Sequence, residues 1–288
     1  MVITVTGATG LIGGELVRLL SEAGLLVRAV TRHAARAAPR PGVAWVQADL
    51  ADPLLLEPTL AGTTRLFLLT DNQSGFGELQ IGVVRAARAM GVQHIVKLSA
   101  LGASGHSRSG IGREHWDVEQ VVKDPASPMG WTVLRPHAFM QNWLTDLATT
   151  VRREGRIHSP IENGRVPFID ARDIADVAAE VLQRPEGHVG ATYVLTGGQA
   201  IGFAEVADAL TAATGRRVEY EPISMEAAGA RLRAKGVPEK SIDAYLALAA
   251  YQRAGGRTAE VSPHVQQILR RAPRGVDQFA RDHRERFL

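Results

Sequence analysis

The 288-residue sequence contains no cysteine. Disulfides, thiolate metal sites and cysteine nucleophiles are therefore excluded. Lysine is almost as scarce: of 33 basic residues, only Lys97, Lys123, Lys235 and Lys240 are lysines. The arginines are scattered among alanines, with no aromatic residues interleaved. The formal net charge is only +3, although the pI is about 9.5. This distribution predicts a solvated surface and no nucleic-acid partner. No apolar run approaches the ~18 residues of a membrane span. The N-terminus also lacks the charged start and cleavage site of a signal peptide, so a cytoplasmic protein with no membrane partner is expected. His33, His94, His106, His115 and His137 fall on different predicted elements. No cluster has metal-ligand spacing, and no metal is expected.

A chain of this length, 45% hydrophobic, can bury a substantial core as one large domain or two packed ones. It opens with an apolar β-branched run, Val2-Ile3-Thr4-Val5-Thr6, that leads directly into Gly7-Ala8-Thr9-Gly10-Leu11-Ile12-Gly13 and then a helix-like stretch to Leu20. A glycine triplet alone is a weak signal, but its placement between first strand and first helix suits a dinucleotide pyrophosphate. The first glycine permits a tight turn, the second lets backbone approach the phosphates, and the third lets helix and strand pack closely.

Further strand-like runs at 26–30, 43–46, 66–69, 94–98 and 131–134 alternate with helical ones at 52–60, 77–90 and 113–123. This alternation predicts an α/β fold, a Rossmann-type doubly wound parallel sheet. Val166-Pro167-Phe168-Ile169 reads as another strand, ending at Asp170 as N-cap of a helix over 171–182. Strand-like runs follow at 193–196 and near 217–222, and the chain from Phe203 is mostly helical. The expected division is interleaved. Residues 1–139 plus about 166–198 form the nucleotide-binding domain, and about 140–165 plus 199–288 form a smaller, mostly helical C-terminal lobe.

The tip of the second strand discriminates between nicotinamide cofactors, because an acidic residue there takes the ribose hydroxyls of NAD. Here the strand ends Val30-Thr31-Arg32-His33, with no carboxylate before Asp49. The planar, permanently charged guanidinium of Arg32 suits the extra phosphate of NADP(H). NADP(H) is the expected cofactor, with NAD(H) left open.

Four segments, Gly7–Gly13, Gln47-Ala48-Asp49-Leu50, His94–Ser99 and Leu134-Arg135-Pro136-His137-Ala138-Phe139-Met140-Gln141-Asn142, resemble the atypical short-chain dehydrogenases/reductases. The segment around Pro136 and the run Val166–Ala175 around Asp170 narrow the resemblance to the NmrA-like group, and the likeness reaches the C-terminal Arg271-Ala272-Pro273-Arg274. That group includes type-2 NAD(P)H:quinone oxidoreductases, triphenylmethane reductases and redox-sensing regulators. The resemblance spans essentially the whole chain. It implies that Gly7, Thr9, Gly10, Leu11, Ile12 and Gly13 carry the pyrophosphate and Arg32 the 2′-phosphate. Asp49 and Leu50 would flank the adenine, and Thr70 and Asp71 would lie beside the inner ribose. Ser99, Pro136, His137 and Phe139 would border the nicotinamide. From the residues alone, Asp49 could instead cap the following helix and Ser99 satisfy a turn.

One departure matters for chemistry. Main-line members of the superfamily protonate a carbonyl with tyrosine, helped by a lysine four residues on. This chain's tyrosines are Tyr193, Tyr220, Tyr245 and Tyr251, and none has lysine at that spacing. Ile111, His115, Val118 and Val122 share one helical face, which places His115 on the inward stripe as a candidate acid or as a packed core residue. Ser99, His115 and Asn142 are the candidate catalytic residues. His137 and Gln141 could line a substrate mouth, and Met140, Trp143 and Phe168 could supply an apolar wall or plain core. The expected function is an NADPH-dependent oxidoreductase passing hydride to a small conjugated or aromatic acceptor such as a quinone, as a monomer or homodimer. The alternatives are a non-catalytic redox sensor and a biosynthetic reductase of an imine or lignan-like compound.

Overall fold

The computed structural model describes residues 1–73 and 75–288. In chain order it contains β1 (Val2–Val5), α1 (Leu11–Glu22), β2 (Leu26–Thr31), β3 (Val43–Gln47), α2 (Pro53–Leu60), β4 (Arg65–Leu68), α3 (Phe76–Ala89), β5 (His94–Leu98), α4 (Gly110–Val122) and β6 (Gly130–Pro136). There follow α5 (Asp146–Glu154), β7 (Arg156–Ser159), α6 (Ala171–Gln183), β8 (Ala191–Leu195), α7 (Phe203–Thr214), β9 (Glu219–Pro222), α8 (Met225–Ala234), α9 (Glu239–Ala254), α10 (His264–Leu269) and α11 (Val276–Asp282). The chain forms two compact units, Met1–Pro136 with Ala171–Leu195, and His137–Asp170 with Thr196–Leu288.

The first unit is a seven-stranded sheet in the order β3-β2-β1-β4-β5-β6-β8, with every pairing parallel. Parallel strands need crossovers, and the crossovers bury both faces. Leu66 and Leu68 of β4 and Ile95 of β5 join one apolar cluster with residues of α2, α3 and α4. Side chains alternate along a strand, so Phe67 and Val96 point to the opposite face, where α1 packs against α6. All five residues of β5 are buried, including Lys97. This makes the sheet centre a low-dielectric medium for any charge placed in it.

The second unit has its own core, in which Trp143, Phe168 and Phe279 are buried together. The Trp143 ring meets the rings of Phe168 and Phe279 edge-on at 4.9 and 5.4 Å. Met140, Trp143 and Phe168 are thus packed core. β7 and β9 form a separate two-stranded parallel sheet.

Three expectations are corrected. Val166–Ile169 is not a strand of the large sheet. It makes only isolated bridges, Val166 to Ile201 and Ile169 to Phe139, and Pro167 has no N–H to continue a ladder. The short strand β7 was not foreseen. Ile111 is 40% exposed whereas His115, Val118 and Val122 are buried. α4 begins one turn earlier than expected, at Gly110, and its first turn lies outside the packed stripe. Among the described residues, no helix is long and apolar enough to cross a membrane.

Candidate active site

In an open parallel sheet, ligands bind outside the carboxyl ends of the strands where the strand order reverses. Here that point lies between β1 and β4. The loop from β1 to α1 is shaped by its glycines. Gly7 takes φ +62°, in the left-handed region that favours glycine. A β-carbon at Gly7 would also sit 2.9 Å from the Leu69 carbonyl oxygen, and one at Gly13 only 2.2 Å from the Gly7 carbonyl oxygen. α1 therefore approaches the loop at a distance that only glycine permits. Gly10 differs: it is exposed, and a β-carbon there would meet only the Gly7 carbonyl oxygen at 3.2 Å. Gly10 gives α1 no side-chain cap, and the first turn carries no acidic residue. The N-terminal amides and the positive end of the helix dipole are thus left for an anion. Thr9 is half-buried in this loop, Ile12 is buried, and Leu11 is 54% exposed at the helix start.

At the ends of β2 and β3 lies a cleft of about 600 Å³ lined by Arg32, His33, Gln47, Ala48, Asp49 and Leu55. Arg32, immediately past the end of β2, lines this cleft, and its guanidinium pairs with Asp71 at 2.9 Å. Gln47 donates from Nε2 to the Arg32 carbonyl oxygen at 3.3 Å, which ties the ends of β2 and β3 together. Asp49 does not cap α2. Asp52 does, accepting from the Leu54 amide at 3.0 Å, whereas Asp49 accepts from the Ala51 amide in a local turn. Leu50 packs against the apolar cluster under the sheet and does not line the cleft. Thr70, after β4, receives a hydrogen bond from the buried Gln80 Nε2 at 2.7 Å and donates to the Asp71 carbonyl oxygen at 3.2 Å. His33, Gln47, Ala48 and Leu55 were not among the expected site residues; a side chain's presence in a cleft follows from how strand ends and helices pack, which sequence spacing does not report.

Ser99, immediately after β5, is buried and gives its hydroxyl proton to Glu119 at 2.6 Å. Glu119 is fully buried and also accepts from Arg135 on both oxygens, at 2.8 and 2.6 Å, and from Lys123 at 2.8 Å. Burial would raise its pKa, but the hydrogen bonds from Arg135, Lys123 and Ser99 outweigh that and hold the carboxyl below its usual range. His115, one helical turn earlier, is 3% exposed. Its Nδ1 lies 3.1 Å from Lys97 Nζ, and its ring packs on Phe76 at 4.7 Å. Burial first, and then the Lys97 charge, push its pKa down to about 3. The fully buried Lys97 ammonium is itself pushed down to about 7 by desolvation, opposed by Glu119. At neutral pH, His115 is therefore a neutral ring accepting a hydrogen bond from Lys97. Its one proton then sits on Nε2, where a neutral imidazole is a hydrogen-bond donor and not a general acid. Lys97 and Glu119 were missed in the sequence; the i,i+4 spacing of Glu119 and Lys123 reads equally well as an exposed pair.

Pro136 ends β6 in the first unit, buried, and its carbonyl oxygen accepts from the Leu101 amide at 3.1 Å. The remaining candidates belong to the second unit. His137 has both ring nitrogens occupied: Nδ1 accepts from the Ala138 amide at 2.6 Å, so Nε2 donates to the Thr258 carbonyl oxygen at 3.0 Å. Burial pushes its pKa to about 4. Gln141 donates from Nε2 to Asp170 at 2.7 Å. Phe139 is half-buried and Asn142 exposed. Among the described residues, no group of three or more His, Asp or Glu side chains could hold a metal ion.

The NmrA-like family matches residues 1–279. The chain is 38% identical over 287 residues to an NAD(P)H azoreductase of Xenophilus azovorans, with 99% of each chain covered. It is similar to a Citrobacter triphenylmethane reductase solved with NADP(H), at 25% identity and a TM-score of 0.85, covering 98% of this chain and 99% of that one. It is also similar to the NADPH-dependent quinone oxidoreductase of Escherichia coli solved with NADPH, at 26% identity and a TM-score of 0.85, covering 96% and 98%.

Proposed function

The chain belongs to the NmrA-like family, and from that premise we propose that it is an NADPH-dependent oxidoreductase that reduces conjugated acceptors, quinones and dyes of quinone-like electronic structure above all. The single observation that carries this reading is the state of α4. Where a proton donor would stand, the helix has no tyrosine, and its one histidine is buried and neutral. An alkoxide formed from a simple ketone is strongly basic and needs enforced protonation, worth typically 10²–10⁴-fold in rate. A quinone receiving hydride becomes a delocalised phenolate-type anion that water can protonate later. Two of the relatives are named for acceptors of this kind: a quinone gives a delocalised anion, and a cationic triphenylmethane dye gives a neutral product with no anion to protonate.

The residues fit the cofactor. A β-carbon at Gly10 would fill the approach to the uncapped amides of α1, and Arg32 lines the cleft at the ends of β2 and β3. Bound NADPH would supply the hydride. The glycine loop and α1 would hold the pyrophosphate, Arg32 the 2′-phosphate and Asp49 the adenine edge, while Thr70 and Ser99 would border the distal half. The protein's share of the rate is then orientation and exclusion of water.

NADPH oxidation across a panel of small quinones, azo and triarylmethane dyes, aliphatic ketones and nucleotide sugars tests the acceptor class. Turnover is expected for the conjugated compounds, with ketones slower by at least about a hundredfold. Faster ketone reduction would sink the reading, and NADPH binding without turnover of any acceptor would favour the sensor.

Arg32→Ala tests the cofactor choice. A charge-assisted hydrogen bond contributes about 1.5–3 kcal/mol. Binding the phosphate must first displace Asp71 from Arg32, a half-exposed pair worth up to about 1 kcal/mol. The expected loss is therefore about two- to thirtyfold for NADPH and little for NADH, read from titrations of both cofactors. Equal losses would remove Arg32 from phosphate recognition.

A further inference from the structure

The hydrogen bond between Ser99 and Glu119 has a direction, and the direction specifies what Ser99 can offer a ligand. Glu119 lies wholly inside the protein with Arg135 bridging both its oxygens and Lys123 on the second. An ionised carboxylate only accepts, so the Ser99 hydroxyl must spend its one proton inward, at 2.6 Å. The Ser99 amide is also engaged, donating to the Leu134 carbonyl oxygen at 2.7 Å. What remains is the lone pairs of Oγ. Ser99 is thus an acceptor-only position at the carboxyl end of β5.

Its place in the sheet says which part of a dinucleotide it meets. The cleft with Arg32 and Asp49 lies at the ends of β2 and β3, and the glycine loop at the end of β1. A dinucleotide running from that cleft across the order reversal brings its other half over the ends of β4 and β5. We propose that Ser99, fixed as a hydrogen-bond acceptor by Glu119, reads the carboxamide NH₂ of the nicotinamide, with Glu119 as its positioning residue. The contact would orient the ring and so decide where its reactive carbon stands. The inference rests on the NADPH reading above.

The test compares binding of NADPH and of its reduced 3-acetylpyridine analogue, in which a methyl group replaces the amide NH₂, by titration calorimetry. The wild-type protein is expected to prefer NADPH by about three- to tenfold, the value of one neutral hydrogen bond. Ser99→Ala should weaken NADPH alone and abolish the preference; it leaves three donors on Glu119, so the fold is not at stake. Glu119→Gln frees the Ser99 proton, which can then donate to the carbonyl oxygen common to both ligands, and the preference should again vanish. The double variant should add nothing. A merely structural role for Glu119 would weaken both ligands equally. A Ser99→Ala protein that keeps the wild-type preference, or loses both ligands in equal measure, would overturn the inference. Failure of the wild-type protein to bind NADPH would instead overturn the cofactor reading beneath it.

Discussion

Gly10→Val is expected to abolish dinucleotide binding in a protein that still folds, whereas Gly13→Ala is expected to disrupt the fold itself. The two glycines stand three residues apart, Gly10 at the N-cap and Gly13 in the first turn of α1, but meet different obstacles. At Gly13, a β-carbon would sit 2.2 Å from the Gly7 carbonyl oxygen and 2.8 Å from its carbon. That is backbone against backbone, so α1 must lift off the sheet. At Gly10, the nearest atom is 3.2 Å away and the position is exposed. A valine there projects into the space above the uncapped N-terminus of α1, which the pyrophosphate needs. Loss of NADPH affinity should exceed about a hundredfold. Circular dichroism with cofactor fluorescence on the two variants decides the matter. A Gly10→Val protein with wild-type affinity would remove the pyrophosphate from the glycine loop.

Acidification from pH 7 to 5 should destabilise the protein steeply through its buried histidines. His94 and His115 are both 3% exposed, and burial pushes them to about 4 and about 3. In the unfolded chain each takes up a proton near pH 6.5, while the fold refuses it until far lower. Between those values the unfolded state binds more protons, so stability rises with pH and is lost on acidification. Near pH 5 each of these histidines, and His137 of the second unit shifted the same way by burial, contributes a slope of roughly 1 kcal/mol per pH unit. Lys97, pushed down to about 7, has the same sign in a higher window and adds stability as pH rises from about 7 towards 10.5. Urea midpoints at pH 7, 6 and 5 should fall accordingly, and His115→Gln should lower the slope around pH 5 by about a third, since His94 and His137 keep theirs. A midpoint that stays level from pH 7 to 5 would contradict the burial of these rings as neutral species.

Much of the sheet was legible because its signals are local. β1, the glycine loop and α1 follow one another without interruption, and β-branched runs alternate with amphipathic ones up to Pro136. Each such signal depends on neighbours within a few residues. The same locality misled at Val166–Ile169, where an apolar run of strand-like composition contains Pro167 and finds only single-bridge partners. β7 escaped because a four-residue run, Arg156-Ile157-His158-Ser159, has too little pattern to stand out; it becomes a strand only through β9, more than fifty residues away.

The sequence by itself determined the fold class, the place of the glycine loop between β1 and α1, the family, and the absence of a tyrosine–lysine pair on α4. All of these are written in contiguous residues or in residue types that are simply missing. Only the tertiary structure decided what the polar residues at the candidate site are free to do. His115 sits on a helical face that composition alone leaves open to acid catalysis. It becomes a neutral ring because β5 runs buried along its whole length and places Lys97 against it. Ser99 could have donated or accepted; Glu119 and Arg135, brought together from α4 and β6, leave it only the second role. The physical reason is the same in both cases. Desolvation and hydrogen-bond direction depend on partners drawn from separate strands and helices, and no spacing along the chain encodes which of them will meet.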